Sequence, residues 1–420
     1  MHKKITLDNG LRIIAKVMPS REAVSLGIWI AVGGRFEEKD VSGISHYLEH
    51  MLFKGSKKYS CREIKETIEG KGGSLNGFTA EEYTCYLVKV LEKNVYESLE
   101  ILSDMVLNPT LDSIEIDKER TVIMEEIKMY KDLPQYHVLE ILDLLLWPNH
   151  PLGQNLTGSI ESVTNIDKNK LYSFQRKFYQ PENIVISLCG AFNLKKITQQ
   201  IKKTFNSKDR LKPESPLAVT DSLSRPQVNC LSKPTEQSHL AIGFRSYNRS
   251  HPERFCVDLL HVILGANMSS RLFQEVREKR GLAYSIGTNI KRFKDSGAFL
   301  IHAGVDNFKV ESAVDVIVAE LENIKQKMND SELKRAKDFY LGQLIMALED
   351  VSDNMLFMGE SIISLDKVYT LAQIKNIVKK ITCGDIKRVG RDILDIGKIN
   401  LALISPEGGK QVEILKNKFK

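Results

Sequence analysis

GISHYLEHMLFKG (43–55) and DLLHVILGANMSS (258–270) are two apolar, helix-like stretches, each with a histidine at a corresponding place, His46 and His261. They stand 215 residues apart (261 − 46). The same spacing relates Arg120 in DKERTVIMEEI to Arg335 in ELKRAKDFYLGQL (335 − 120). It also relates Asn183, opening the strand-like NIVISLCG, to Lys398, opening KINLALIS (398 − 183). Several landmarks of matching kind at one offset predict an internal duplication.

Each copy reads in one order. Strands come first (11–18 and 24–33; 227–232 and 238–246), then a helix or two, then a hairpin-like pair (73–90; 282–304). Several helices, a final strand and a helical or polar tail follow. Mixed strands and helices predict an α+β fold of two homologous sheet-plus-helices domains. The polar, proline-bearing stretch 206–226 reads as a linker between domains 1–205 and 227–420.

The copies differ in their polar residues. At the shared offset Glu49 becomes Leu264, His50 becomes Gly265, Glu119 becomes Lys334 and Glu126 becomes Leu341. Only the first copy can then hold a metal, which predicts one ion per chain.

His46 and His50 lie four apart on a predicted helix and project from one face. Two imidazoles so placed can bind a single zinc ion through ring nitrogens. Glu49, beside that face, is placed to act as a base on a water rather than as a ligand. The alternative is a pair of ordinary histidines on an amphipathic helix. The neighbours Ile44, Tyr47, Leu48, Met51, Leu52 and Phe53 are apolar, and polar groups buried among them need partners. A third ligand is expected in EIDKERTVIMEEIKMYK (115–131), where Val122, Ile123 and Tyr130 mark an apolar stripe containing Glu126. Glu125 is turned about 100° toward the polar side and reads as plain solvation. Glu119, two turns before Glu126, is expected to orient a ligand.

Composition sets the class. The chain has 420 residues, 42% hydrophobic and 27% charged, with a net charge of +6 spread along its length. No basic stripe or aromatic platform suggests nucleic acid. Cys61, Cys85, Cys189, Cys230, Cys256 and Cys383 lack metal-knuckle or redox spacing, so free thiols in a reducing compartment are expected. With no signal-like apolar core at the N-terminus and no membrane-length apolar run, the expectation is a cytoplasmic protein.

The chain resembles the pitrilysin/insulysin family of zinc peptidases, in particular the bacterial branch related to the mitochondrial processing peptidase. LDNGLRII, GISHYLEHMLFKGS, GGSLNGFTAEEYTCY, ERTVIMEEIKMYKD and SSRLFQEVREKRGLAYSIG carry the likeness across nearly the whole chain. The H-x-x-E-H order is the inverted form of the zinc-peptidase motif. The resemblance implies His46, His50 and Glu126 as ligands, Glu49 as base and Glu119 in support. It implies a zinc endopeptidase acting on extended or unfolded polypeptides, with two subunits enclosing a chamber. A zinc set and an Arg/Tyr pair in one chain favour a homodimer. The alternative is a non-catalytic scaffold subunit, or the partner of a heterodimeric peptidase.

The resemblance further implies substrate binding at Asn76, on an edge strand that substrate extends, and at Phe78, lining a pocket. Here the chain has Asn76-Gly77 where the family usually has Asn-Ala. Asn-Gly is also a strong hairpin-turn signal, so strand and turn both remain open. In the second copy Arg277 and Tyr284 match the family's Arg/Tyr pair, whose donors suit a developing oxyanion. A surface charge and a strand packing residue are the alternatives. Gly265-Ala266-Asn267 also departs from a commoner glycine-rich run.

Overall fold

A computed structural model describes residues 2–207, 215–220 and 223–419. Two compact units emerge, and neither is continuous in sequence. The first runs to Lys128 and resumes at Gln154–Leu217 and Met346–Val368. The second comprises Met129–Gly153, Ala218–Ile345 and a final stretch from Tyr369.

The first unit is built on a six-stranded mixed sheet. Its strands are β1 (Lys3–Thr6), β2 (Arg12–Val17), β3 (Ala23–Ile30), β4 (Ser74–Thr79), β5 (Thr84–Leu91) and β6 (Ile184–Gly190), ordered β1-β2-β6-β3-β5-β4. The second unit has five strands, β7 (Gln227–Ser232), β8 (Ser238–Ser246), β9 (Ala283–Arg292), β10 (Gly297–Val305) and β11 (Asn400–Ser405), ordered β7-β11-β8-β10-β9. Remove β1 and the two orders coincide element for element. β2 and β7 begin 215 residues apart, as do the helices Lys168–Phe178 and Cys383–Ile393. The fold is α+β and duplicated, as expected.

Helices cover the first sheet on both faces. On one side lies the main core, including Leu26, Ile28, Tyr47, Leu48, Met51, Tyr86 and Ile123. On the other, Trp29, Cys85 and Val185 pack against Met355, Met358 and Ile362 of helix Val351–Leu365. With both faces covered, a central strand need not alternate, and every residue of β6 is buried. Close approach fixes one composition choice: a Cβ on Gly359 would lie 2.2 Å from Trp29 Nε1.

In the second unit helix Pro134–Leu146 takes the corresponding place, packing Val138, Leu142 and Leu146 against Ala241, Leu300 and Ala402. These two helices follow equivalent elements in the two copies, yet each joins the sheet of the other half of the chain. Contiguous domains at 1–205 and 227–420 do not express that exchange. Of the expected linker 206–226, residues 208–214 and 221–222 lie outside the described residues. Residues 215–220 carry neither helix nor strand.

The six cysteines are free, with Cys85, Cys189 and Cys256 buried and the others partly so. Among the described residues no helix is long and apolar enough to cross a membrane.

Candidate metal centre

Helix Ile44–Leu52 packs Tyr47, Leu48, Met51 and Leu52 into the main core. That burial fixes its rotation and leaves His46 and His50 side by side, ring centroids 4.5 Å apart. Helix Ser113–Asp132 delivers the third group. Glu126 Oε2 lies 3.7 Å from His46 Nε2 and 3.7 Å from His50 Nε2. The donor atoms of the three side chains all fall within 4.8 Å of one another, the only such group among the described residues. Two imidazoles and a carboxylate are a donor set suited to zinc, with room for water or substrate as a further ligand.

Glu126 reaches this position by a different helical face from the one expected. The buried residues of Ser113–Asp132 are Ile116, Glu119, Ile123 and Ile127, whereas Val122 is 50% exposed. Ile123 fits the expected stripe and Val122 does not. Glu126 therefore sits at the margin of the buried face, where it meets the histidines while keeping partial access to solvent. Glu125 is exposed and paired with Lys128.

Glu119 lies on the buried face and binds in two directions. Its Oε1 is 2.9 Å from His50 Nδ1, and its Oε2 is 2.5 Å from Lys54 Nζ. Burial pushes the Glu119 carboxyl upward, but the bonds to His50 and Lys54 overcome this and hold it below the ordinary range. A carboxylate on Nδ1 directs the other ring nitrogen of His50 toward a metal. His46 has no such support: its Nδ1 is buried without a hydrogen-bond partner.

The two rings accordingly differ in basicity. Burial, then the neighbouring His50, pushes His46 down to about 3. Burial also lowers His50, but Glu119, Glu49 and Glu126 more than reverse it and raise its pKa. Metal ligation needs neutral imidazole, and His46 is neutral throughout the ordinary pH range. Because its folded pKa is depressed, the unfolded chain takes up that proton first on acidification. The metal-free protein should therefore lose stability as pH falls below about 6.5, continuing toward about 3. The Tm of metal-free His46→Gln against pH should be flatter across that window; equal slopes for both proteins would contradict it.

Glu49 is 8% exposed, and burial raises its pKa. Its Oε2 accepts a hydrogen bond of 2.7 Å from Thr79 Oγ1 on β4. Gly77, on the same face of β4, lets the strand come close: a Cβ there would lie 3.0 Å from Glu49 Oε1 and from the Phe53 ring.

Asn76 and Gly77 are strand residues, paired with Leu87 and Tyr86 of β5. The hairpin turns later, at 80–83, where Ala80 N–H donates to Tyr83 O. The turn reading of Asn-Gly is thereby overturned, because close approach to Glu49, not a tight turn, is what the glycine accommodates. Counting back along the antiparallel ladder from that bond, the N–H and C=O of Gly77 point outward from the sheet edge. Asn76 Oδ1 accepts from Gly77 N–H at 2.8 Å. Phe78 alternates to the other face, edge-on to Trp29 and Tyr83 with centroids 5.8 and 6.4 Å away. That position gives Phe78 packing contacts beneath helix Val351–Leu365, and it is Thr79 that meets Glu49.

Arg277 and Tyr284 are brought together in the second unit. The Arg277 guanidinium lies 5.5 Å from the Tyr284 ring centroid and 4.7 Å from that of Phe273. Tyr284 is the second residue of β9 and is 74% exposed, so it is not a strand packing residue. At the position equivalent to His46, His261 Nδ1 instead meets Thr288 Oγ1 at 2.7 Å, with no cluster of ligands around it among the described residues.

Comparison with known proteins gives the family. Residues 12–159 match the family model described as Insulinase (Peptidase family M16), and residues 165–340 match that described as Peptidase M16 inactive domain. A Bacillus subtilis protein named uncharacterized zinc protease YmxG is 35% identical over 97% of this chain and 99% of its own length. This chain belongs to peptidase family M16. A Streptomyces coelicolor member, also named an uncharacterized zinc protease, is 32% identical, covering 98% of this chain and 91% of its own. The crystal structure of a protease from Helicobacter pylori superposes with a TM-score of 0.92 at 25% identity, covering 97% of this chain and 99% of the other. A Pseudomonas fluorescens structure, titled peptidase M16 inactive domain, shares the fold at a TM-score of 0.87 and 19% identity, covering 97% and 98%.

Lys54 and Thr79 are site residues that the sequence reading passed over. Lys54 falls one turn beyond His50, a spacing that offered a signal. Thr79 had none, since only strand pairing brings it to Glu49.

Proposed function

We propose that this M16 chain is a zinc-dependent endopeptidase that hydrolyses peptide bonds in extended or unfolded polypeptides. The convergence of His46, His50 and Glu126 beside the buried Glu49 is the observation that carries the reading. Zinc, when bound, supplies Lewis acidity for the scissile carbonyl and acidifies a water. Glu49, its proton affinity raised by burial and its orientation held by Thr79, accepts a proton from the attacking water. It then passes that proton to the departing amine. Glu119 and Lys54 keep His50 in one tautomer. The free edge of β4 offers the outward C=O of Gly77 to a strand of substrate, and its N–H once Asn76 Oδ1 gives it up. Cleavage of a peptide library by purified protein, abolished by chelation and restored by zinc, tests the reading. No cleavage at any zinc level would sink it.

We further infer that two copies of the chain form a chamber, with Arg277 and Tyr284 of one serving the metal site of the other. The support is the split of chemistry between the copies: ligands in the first, exposed oxyanion-type donors in the second. Loss of such a donor typically costs ~10²–10³ in rate. Mixing Glu49→Gln with Tyr284→Phe, each impaired alone, should restore activity, because a mixed dimer then holds one intact site. No recovery after confirmed subunit exchange would place the donors on their own chain's metal.

A further inference from the structure

We propose that Glu37 is a positioning residue for the metal site, its buried carboxylate serving as the N-terminal cap of the helix that carries His46, Glu49 and His50. The inference rests on the zinc-site reading above.

The helix Ile44–Leu52 spans 9 residues and has no cap of its own. Gly43 occupies the cap position at φ +93° and has no side chain to offer. No larger residue can replace it, because a Cβ there would lie 2.6 Å from Thr157 O. The N–H groups of the first turn point into protein, where an unpaired donor is costly.

Glu37 supplies what is missing, from the loop preceding the helix. Its Oε2 accepts from Gly43 N–H at 2.6 Å and its Oε1 from Ser45 N–H at 2.8 Å. The residue is 5% exposed, and among the described residues no cationic side chain pairs with it. Its compensation is the helix terminus itself, two aligned backbone donors and the positive end of the helix dipole. Burial pushes the carboxyl up to about 7, and the two backbone donors pull against that rise.

Bidentate capping does more than satisfy two donors. Core burial sets the rotation of the helix; two bonds to one carboxylate add a fixed point at its first turn. Ser45 directly precedes His46, so the first imidazole is one residue from the anchored backbone. His46 Nδ1 has no hydrogen-bond partner to orient the ring, in contrast to His50 with Glu119. With no hydrogen bond at Nδ1, the His46 ring depends on the backbone on which it is mounted for its position. Glu37 acts through that backbone and touches neither metal nor substrate.

The test compares zinc affinity with stability in the full chain. Glu37→Gln is nearly isosteric but turns an amide NH₂ toward one of the two backbone N–H donors. Zinc Kd, read by competition with a chromophoric chelator, should rise about 10-fold or more, as for loss of groups that orient ligands. Ile197→Ala, a core truncation in helix Leu194–Thr204, serves as the control at comparable loss of metal-free Tm. It should leave zinc Kd unchanged. Glu37→Asp keeps the charge but shortens its reach; it should fall between and carries the comparison if the glutamine variant does not fold. A zinc Kd that moves no more for the Glu37 variants than for Ile197→Ala would reduce Glu37 to general stabilisation and overturn the proposal. Failure of the unaltered protein to bind zinc at all would instead remove the metal-site reading, and this proposal with it.

Discussion

Glu49→Gln is expected to bind zinc as the unaltered chain does while cleaving peptides slower by ~10²–10⁴, the usual worth of a positioned acid–base group. The amide keeps the shape of the side chain and can still accept from Thr79, so packing at the 2.7 Å contact survives. What disappears is the capacity to take a proton from water and return it to an amine. Parallel measurement of bound zinc and of single-turnover cleavage separates these outcomes. Zinc lost along with activity would make Glu49 a ligand and reverse its role.

Glu126→Gln should do the opposite and release the metal. Zinc bound by four protein ligands is held by about 10–16 kcal/mol, roughly 2.5–4 kcal/mol for each. At 1.4 kcal/mol per decade, loss of one ligand weakens binding by ~10²–10³. The effect should be pronounced here because Glu126, 3.7 Å from both imidazoles, is the one carboxylate grouped with them among the described residues. Isothermal titration with zinc would read it, and the unaltered protein should titrate to one ion per chain. Retention of full affinity would transfer the third ligand to another group.

Much of the fold was legible because its signals are local. The histidine pair, the strands and the repeat all lie in short windows, and the 215-residue offset needs only counting. The stripe that points to Glu126 is only partly right: the pattern turns Val122 inward, yet Val122 is 50% exposed, because apolar residues also occur on exposed helix surface. Asn76-Gly77 was ambiguous in a different way. Local statistics favour a turn there, and the reason for the glycine is a contact with Glu49 made across the fold. Thr79 was invisible for the same cause, since it acts on Glu49 from a separate strand. Glu37 is close to Gly43 and Ser45 in sequence, but it caps the helix from outside the usual cap position, which no local pattern marks. Nor could periodicity show which sheet the helices Pro134–Leu146 and Val351–Leu365 would cover. An amphipathic pattern states that a face is buried and is silent about its partner.

That exchange of helices orders events during synthesis. When the nascent chain has supplied β1 to β6, Trp29 and Val185 still wait for Met355 and Met358, more than 160 residues further along. Until then an apolar face of the first sheet remains bare, an invitation to aggregation or to a chaperone. The half of the molecule that carries the metal ligands is thus among the first parts translated and among the last completed. A gene divided at the linker would yield two fragments, each holding the helix that the other requires.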